Sequence, residues 1–412
     1  MSDIRPFCGI RPRPDLVAQV AAPPYDVVDF DEAQAYVANK PHSFLKVEKS
    51  EIELPRGLDT LDPRIFEHGK KKLEGLLAQG ILVRDKKPSF YVYQLRMGKH
   101  VQVGVVAGAS LAEYQNNLIK KHEFTRTDKE DERTLHINTL GANTGPVFLT
   151  YRSVAAIDDF IRTVRKRKKV FDFVADDGVG HTLWVIANAR EVERLRTLFA
   201  AIPALYIADG HHRSAAASRV QKIRQEQNPH HTGEEPYNFF LTVIFPHDQM
   251  NIMEYNRVVN DFNGHSTEAF MKAVANAFDI GQASQPKPEQ PTTFGMYVTG
   301  TWHRLIAKPG AFPANHPVDS LDASILQNNL LGPLLGINDP RTDKRIQFVG
   351  GIRGMAELER RVQQKGGVAF AMYPTSIKQL MAIADAGLVM PPKSTWFEPK
   401  LRSGVVVRSI ND

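Results

Sequence analysis

An apolar run and an alanine-rich run meet near residue 210 of this chain. The segment ALYIA (204–208) has the apolar residues of a buried strand, and SAAASRV (214–220) has the alanine content of a helix. Between these two runs stand Asp209, Gly210, His211, His212 and Arg213. The sequence therefore predicts a strand, a tight polar turn and a helix that begins near residue 212.

Strand-like and helix-like segments also alternate on both sides of this junction. The apolar runs predict strands at 89–95, 101–109, 181–187, 204–208, 238–245, 294–300 and 367–373. The helical patterns predict helices near 63–79, 155–168, 190–200, 266–278 and 376–386. Such alternation is typical of a mixed α/β (α+β) fold.

The length of 412 residues exceeds what one hydrophobic core usually supports. We therefore predict an N-terminal α/β unit (1–110), a core that carries the polar junction (111–260) and a C-terminal α/β domain (261–412). The proline-rich polar segment 282–293 fits either a linker or a long surface loop.

Charge and cysteine usage narrow the class of protein. The 52 basic and 46 acidic side chains leave a net charge of +6, a small excess that allows anionic ligands but does not indicate nucleic acid. Cys8 is the single cysteine, so no intramolecular disulfide can form. No apolar signal core or membrane-spanning stretch is recognisable, and we expect a cytoplasmic protein without a membrane partner. The oligomeric state is left open.

The polar junction has the chemistry of an anion site. At a strand-to-helix turn, the first backbone N–H groups and the helix dipole favour a phosphate. Gly210 would let the backbone approach an oxygen closely, and Arg213 could hold it with two donors. Asp209 would repel a phosphate unless a divalent cation or an arginine lies between them, and a nucleotide with Mg²⁺ would resolve that conflict.

Two other interpretations of the junction are possible. Asp209 could be a helix cap, with both histidines packed or exposed. Zinc is disfavoured because adjacent His211 and His212 point to different sides of a helix and Cys8 is remote in sequence.

A second cluster of ionisable residues lies at 119–133. Glu123 is surrounded in sequence by Lys120, Lys121, His122 and Arg126, which should keep its carboxylate ionised and able to accept a proton. A charged, solvated helix face would look similar. The basic run VRKRKKV (164–170) could contact nucleic acid, although a solvated face is the simpler interpretation.

Five motifs, taken in order, resemble a large bacterial family of unknown function that is related to the free-serine kinases. They are APPYDVV (22–28), KHEFT (121–125), ADGHHR (208–213), EYNRVV (254–259) and MPPKSTWFEPKL (390–401). The resemblance runs nearly end to end and implies a ParB/sulfiredoxin-like nucleotide-binding core with additional N- and C-terminal α/β portions. The family commonly has His-Arg where this chain has Asn256-Arg257.

The resemblance also implies roles for individual residues. Residues 209–213 would hold the nucleotide phosphates, Asp209 would help to bind Mg²⁺, and Glu123 would be the catalytic carboxylate. Lys393, Ser394 and Thr395 are candidate contacts for substrate or phosphate. Further candidate contacts are Tyr25 and Asp26, which follow the extended Pro23-Pro24, together with Arg126 and Arg257.

The hypothesis that unites these residues is transfer of a phosphoryl group from ATP to the hydroxyl of a free amino acid, L-serine first, giving O-phosphoserine. ADP is an alternative donor, and another small hydroxylated metabolite is an alternative acceptor. The rival hypothesis is a ParB-like nucleotide-dependent DNA-binding regulator that uses the basic run as its landing surface.

Overall fold

The computed structural model describes residues 2–411, which form two compact units. The first unit runs to Lys121, continues from Thr125 to Met250 and returns at Pro399; the second comprises His122–Phe124 and Asn251–Glu398. The sequence instead predicts three portions. The predicted N-terminal unit and core share one sheet, because β-strand 100–110 pairs with β-strand 239–246.

The elements confirm the predicted α/β class. The strands are β1 (Ile4–Arg5), β2 (Ile10–Pro12), β3 (Leu82–Arg84), β4 (Phe90–Met97), β5 (His100–Ser110), β6 (Ile119–Lys120), β7 (Ala142–Asn143), β8 (Val147–Tyr151), β9 (Phe171–Val174), β10 (Gly180–Ile186), β11 (Leu205–Asp209), β12 (Phe239–Pro246), β13 (Ile252–Met253), β14 (Tyr255–Val259), β15 (Phe278–Gln282), β16 (Thr293–Val298), β17 (Thr301–Ala307), β18 (Ile346–Gly350), β19 (Val368–Ala371), β20 (Trp396–Phe397) and β21 (Arg408–Ser409).

The helices connect these strands. They are α1 (Val17–Val20), α2 (Phe30–Val37), α3 (Leu45–Glu48), α4 (Pro63–Ala78), α5 (Leu111–Gln115), α6 (Thr127–Leu140), α7 (Ala155–Val164), α8 (Ala189–Ala200), α9 (His211–Glu226), α10 (Thr267–Val274), α11 (Asp322–Leu326), α12 (Met355–Lys365) and α13 (Ile377–Asp385). Among residues 2–411, no helix combines the length and apolar character needed to cross a bilayer.

The first unit is built on a mixed sheet of nine strands, counted within the described residues. Its order is β6-β11-β8-β12-β5-β4-β10-β9, and β1 also pairs with β5. Every residue of β12 is buried, as expected for the continuous apolar run FFLTVIFP in a central strand. Helix α9 packs against α6, and apolar residues of both helices join the core of the sheet. The sheet thereby fixes the end of β11, where the polar turn begins.

The second unit has its own sheet and core. The sheet order is β15-β17-β16-β19-β14-β18. The proline-rich segment 282–293 connects β15 to β16, and both strands pair with β17. It is therefore a loop within this sheet and does not link two domains.

Two buried histidines in the first unit couple its stability to pH. The Nδ1 atom of His181 lies 2.7 Å from the Tyr93 hydroxyl, and burial lowers the pKa of His181 to about 3. The Nε2 atom of His136 lies 3.0 Å from the Val47 carbonyl oxygen, and burial, aided by the charge of Arg133, lowers its pKa to about 4. Below about pH 6.5 the unfolded chain therefore binds protons that the folded chain does not.

We expect His136 to contribute stability that is fully present above about pH 6.5 and is lost towards pH 4, by at most about 1.4 kcal/mol per pH unit. Replacing His136 with Gln, which can still donate to the Val47 carbonyl, should reduce this slope by about one proton. Urea unfolding at pH 7, 6 and 5 measures it. Comparing the slopes of wild type and variant cancels the contributions of other titrating groups. Asp322 is one of these groups, since burial raises its pKa to about 7. Equal slopes for both proteins would contradict the assignment.

Candidate functional site: the turn between β11 and α9

The polar turn joins strand to helix as the sequence predicts. Strand β11 ends at Asp209, and α9 begins at His211. Gly210 between them has a φ of +101°, in the left-handed region that favours glycine. The N-cap residue of α9 is Gly210, so Asp209 is not the helix cap. The dipole of α9 gives its start an inherent preference for anions.

We expect Gly210→Ala to lower the free energy of unfolding by about 1–2 kcal/mol, because an L-residue is strained at positive φ. The methyl group itself has room, since a Cβ atom at residue 210 would lie 3.4 Å from the Val147 Cα atom. Gly75→Ala is the matched control: its Cβ meets nothing closer than 3.9 Å inside helix α4, and it should stabilise the protein by about 0.5–1 kcal/mol. Chemical denaturation compares the two; a stabilising Gly210→Ala would contradict the left-handed turn.

Asp209 is paired with a lysine that the sequence analysis did not select. The Lys400 Nζ donates to Asp209 Oδ2 at 2.8 Å, and the Asp209 side chain is about one-third exposed. Burial by itself would raise the pKa of Asp209, but the charges of Lys400 and Arg213 hold it below its ordinary value. The repulsion expected between Asp209 and a phosphate is therefore already reduced by cations of the protein. Lys400 stands within the motif MPPKSTWFEPKL, from which Lys393 and not Lys400 was predicted as a candidate contact.

Arg213 is held in place on three sides. Its Nη1 donates to the Pro146 carbonyl oxygen at 2.9 Å, its Nη2 lies 3.5 Å from Asp26 Oδ1, and its guanidinium carbon lies 5.5 Å from the centre of the Tyr25 ring. Burial would lower the pKa of Arg213, but Asp26 and Tyr25 raise it above its usual range. Tyr25 and Asp26, predicted as candidate contacts, thus lie beside the turn and orient its arginine.

Tyr25, Glu48 and Arg133 line a small cavity. The Arg133 guanidinium lies 3.9 Å from the Tyr25 ring centre, and its Nη1 donates to Glu48 Oε2 at 3.3 Å. Glu48 is buried, and in the described part of the chain its Oε1 has no hydrogen-bond partner. The cavity offers about 20 Å³, enough for one water molecule.

Gly145 and Arg213 both line this cavity. A Cβ at residue 145 would lie 3.1 Å from Glu48 Oε1 and 3.5 Å from Arg213 Nε. Glu48, Arg133 and Gly145 were missed by the sequence analysis, and no local pattern marks them.

The two histidines of the turn have different surroundings. The Arg126 backbone N–H donates to His212 Nε2 at 3.0 Å, which assigns the proton of neutral His212 to Nδ1. His211 is buried, with 5% of its surface exposed. The Arg126 side chain forms an ion pair with Asp128 at 2.8 Å. The segment that follows Glu123 is thus hydrogen-bonded to the turn through the Arg126 backbone.

The remaining predicted residues belong to the second unit. Glu123 lies in the segment 122–124, where the His122 carbonyl oxygen accepts from the Met390 N–H at 2.8 Å. Lys393 has a φ of +58°, and its Nζ lies 5.8 Å from the Tyr255 ring centre. The catalytic role of Glu123 stays a prediction.

Ser394, Thr395 and Arg257 also lie in this unit. The Ser394 hydroxyl donates to the Pro391 carbonyl oxygen at 2.7 Å, and Thr395 is half-buried just before β20. Arg257 is buried in β14; it donates to the Tyr255 carbonyl oxygen, and burial lowers its pKa to about 10. Asn256, where the family commonly has histidine, accepts from the Met372 N–H at 2.9 Å and so ties β14 to the end of β19.

The basic run 164–170 is partly neutralised by acidic neighbours. Arg167 pairs with Glu191 at 2.5 Å, and Lys169 pairs with Asp172 at 2.5 Å. The Arg165 side chain donates to Gln94 at 2.7 Å. Such pairing is typical of a solvated surface and weakens the case for a landing surface for DNA.

Comparison with known proteins gives one family and several distant structural neighbours. A family model described as "Protein of unknown function (DUF1015)" matches residues 4–324. No protein of curated function matches the sequence. The chain is similar to free serine kinase in complex with AMP at 14% identity and a TM-score of 0.35, over 71% of this chain and 86% of that one.

Two further neighbours are equally distant. A conserved hypothetical protein from Pyrococcus furiosus shows 13% identity and a TM-score of 0.36, over 74% of this chain and 95% of that one. SbnI with C-terminal truncation from Staphylococcus aureus shows 10% identity and a TM-score of 0.37, over 72% of this chain and 85% of that one.

Proposed function

This chain belongs to the family described as "Protein of unknown function (DUF1015)", and we propose that it is a small-molecule kinase. In this proposal it transfers the γ-phosphoryl group of ATP to the hydroxyl of a free amino acid, L-serine first, and releases ADP and O-phosphoserine. The choice of L-serine comes from the resemblance of five sequence motifs to a family that is related to the free-serine kinases, and the choice of a phosphorylated ligand comes from the turn.

The observation that carries the proposal is the start of α9 beside two cations. Gly210 turns the backbone so that the helix begins immediately after β11. Arg213 and Lys400 both lie at this turn, Arg213 fixed by Pro146 and Asp26 and Lys400 fixed by Asp209. Backbone donors, a helix dipole and fixed cations in one place suit the phosphates of a nucleotide.

Mg²⁺ is compatible with the donors at this turn. This ion is usually bound by one or two carboxylates together with substrate phosphates and water. Asp209, one-third exposed, and Asp26, half exposed beside Arg213, are the carboxylates that would hold it. When bound with the nucleotide, Mg²⁺ supplies charge neutralisation on the phosphate oxygens.

The residues of the chain would share the remaining tasks. Arg213 and the helix start would orient the phosphates, and Nδ1 of His212 would donate a hydrogen bond to a phosphate oxygen. Glu123 would take the proton of the serine hydroxyl. The hydroxyl oxygen would then attack the γ-phosphorus as the bond between that phosphorus and the β,γ-bridging oxygen breaks. This role for Glu123 comes from the family resemblance of the KHEFT motif (121–125).

A phosphorus NMR screen tests the proposal. The protein is incubated with Mg²⁺ and either ATP or ADP, and with free amino acids or small polyols one at a time. We expect a phosphomonoester resonance that requires both ATP and L-serine. A product formed with another acceptor would support kinase activity but show that the substrate is not L-serine. A product formed with ADP would show that ADP is the phosphoryl donor. Absence of any acceptor-dependent product would contradict kinase activity.

The rival function as a nucleotide-dependent DNA-binding regulator predicts a different outcome. DNA affinity would then fall steeply as salt is raised, because phosphate contacts release counterions. The ion pairs of Arg167 and Lys169 leave fewer basic groups for such contacts. We therefore place this function second.

A further inference from the structure

A second cavity lies in the first unit and shares no lining residue with the turn. Its volume is about 750 Å³, within the range of small-molecule sites. Five of its lining residues are cationic and two are acidic. The cationic residues are Arg5, Arg84, Lys86, Arg196 and Arg408. Arg5 pairs with Asp3 and Glu234, and Arg196 pairs with Glu193, so it is Arg408 that favours an anionic occupant.

Arg408 is the central observation. It is 4% exposed, and its two terminal nitrogens donate to the carbonyl oxygens of Phe239 and Pro236, each at 2.7 Å. Its Nε has no hydrogen-bond partner in the described part of the chain, and burial lowers its pKa to about 9. A buried cation without a carboxylate partner is costly, so a group of opposite charge is expected beside it.

The acidic residues of the lining already have cationic partners. Asp85 pairs with Arg11 at 2.7 Å and also accepts from the Tyr91 hydroxyl at 2.8 Å. Glu234, at the exposed rim, pairs with Arg5 at 2.9 Å. Neither contact reaches Arg408, whose charge is left for a ligand.

Apolar groups form the rest of the wall. The Arg408 guanidinium carbon lies 5.8 Å from the Phe7 ring centre, and that of Arg5 lies 5.1 Å from the Phe239 ring centre. Pro88 also lines the cavity. This combination of convergent cations and rings suits a molecule that has one anionic group and an apolar body.

We propose that this cavity binds a small organic anion, a carboxylate or a phosphate monoester attached to an apolar body. The anionic group contacts Arg408, and the apolar body packs against Phe7 and Phe239. The site does not depend on the proposed kinase function, because none of its residues belongs to the turn between β11 and α9.

The single cysteine provides the assay. Cys8 lines the cavity and is half-buried, so its alkylation by a maleimide reports on occupancy. The probes are phenyl phosphate, benzoate, inorganic phosphate and neutral benzyl alcohol. We expect phenyl phosphate or benzoate to slow alkylation in a saturable way, and benzyl alcohol to have no such effect. The more protective of the two anions identifies the preferred anionic group.

Three variants make the test decisive. Arg408→Gln should weaken protection about tenfold or more, the loss of one charge-assisted contact. Glu234→Gln, at an exposed position that does not threaten folding, should strengthen protection by removing a negative charge from the rim. Arg213→Ala should leave protection unchanged. Protection by neither organic anion, or equal protection in wild type, Arg408→Gln and Glu234→Gln, would overturn the proposal.

Discussion

Glu123→Gln should reduce the rate of serine phosphorylation by about 10²-fold or more while leaving ATP affinity nearly unchanged. The substitution keeps the shape of the side chain and removes its ability to accept a proton. A serine hydroxyl is a weak nucleophile at neutral pH, so loss of the base should appear in turnover and not in binding. Steady-state kinetics and calorimetric titration with ATP measure the two quantities separately.

A matched control lies eight residues further along the chain. Asp131 is an acidic residue of the same polar segment whose ion pair, at 2.6 Å, is with Arg219. Asp131→Asn should leave turnover unchanged. Unchanged turnover in Glu123→Gln would refute the assignment of the base, and an equal loss in both variants would show that the effect is one of general charge.

Arg213→Ala is expected to weaken ATP binding by about 1.5–3 kcal/mol, the contribution of a charged hydrogen-bond set. Arg213→Lys should give an intermediate loss, because lysine keeps the charge but cannot hold two oxygens with a planar fork. Calorimetry measures the affinity, and circular dichroism monitors folding, since Arg213 also binds the Pro146 carbonyl oxygen.

Arg219→Ala controls for the loss of a cation from helix α9. Its side chain pairs with Asp131 and has no part in the proposed phosphate site. ATP should bind this variant as it binds wild type. The phosphate contact of Arg213 would be ruled out if Arg213→Ala bound ATP with wild-type affinity.

Local structure could be predicted from the sequence where strong local signals exist. Helix α4 begins at Pro63, and the side chain of Asp62 caps it by accepting from the Arg64 N–H. Just beyond the end of the helix, Gly80 has a φ of +66°. Both signals are visible in the sequence. Helix α7 is shorter than predicted, ending at Val164, because the five basic residues that follow offer no apolar face to pack.

The pairing of strands could not be predicted in the same way. Strand β5 pairs with β4, β12 and β1, and only the first is its neighbour in sequence. The hydrophobic periodicity of a strand predicts which of its faces is buried, but it does not predict which strand pairs with it. The two-unit division follows from these long-range pairings and was missed for that reason.

The candidate site divides along the same line. The turn at 209–213 is a local feature, and both its position and its glycine follow from the residues themselves. The partners that set its electrostatics are remote: Lys400 is 191 residues from Asp209, and Glu48 is 85 residues from Arg133. Lys400 stands in the motif MPPKSTWFEPKL, but nothing in the local sequence says that it pairs with Asp209, and only the fold brings it to the turn.

Hydrogen exchange at the turn between β11 and α9 shows whether this segment binds nucleotide phosphates. Peptides covering 205–220 are followed by mass spectrometry in the presence of Mg²⁺ with ATP, and with adenosine, which lacks phosphates. If the start of α9 holds nucleotide phosphates, ATP should slow amide exchange in this segment and adenosine should not. ATP-dependent protection elsewhere in the chain, with unchanged exchange at 205–220, would contradict the account.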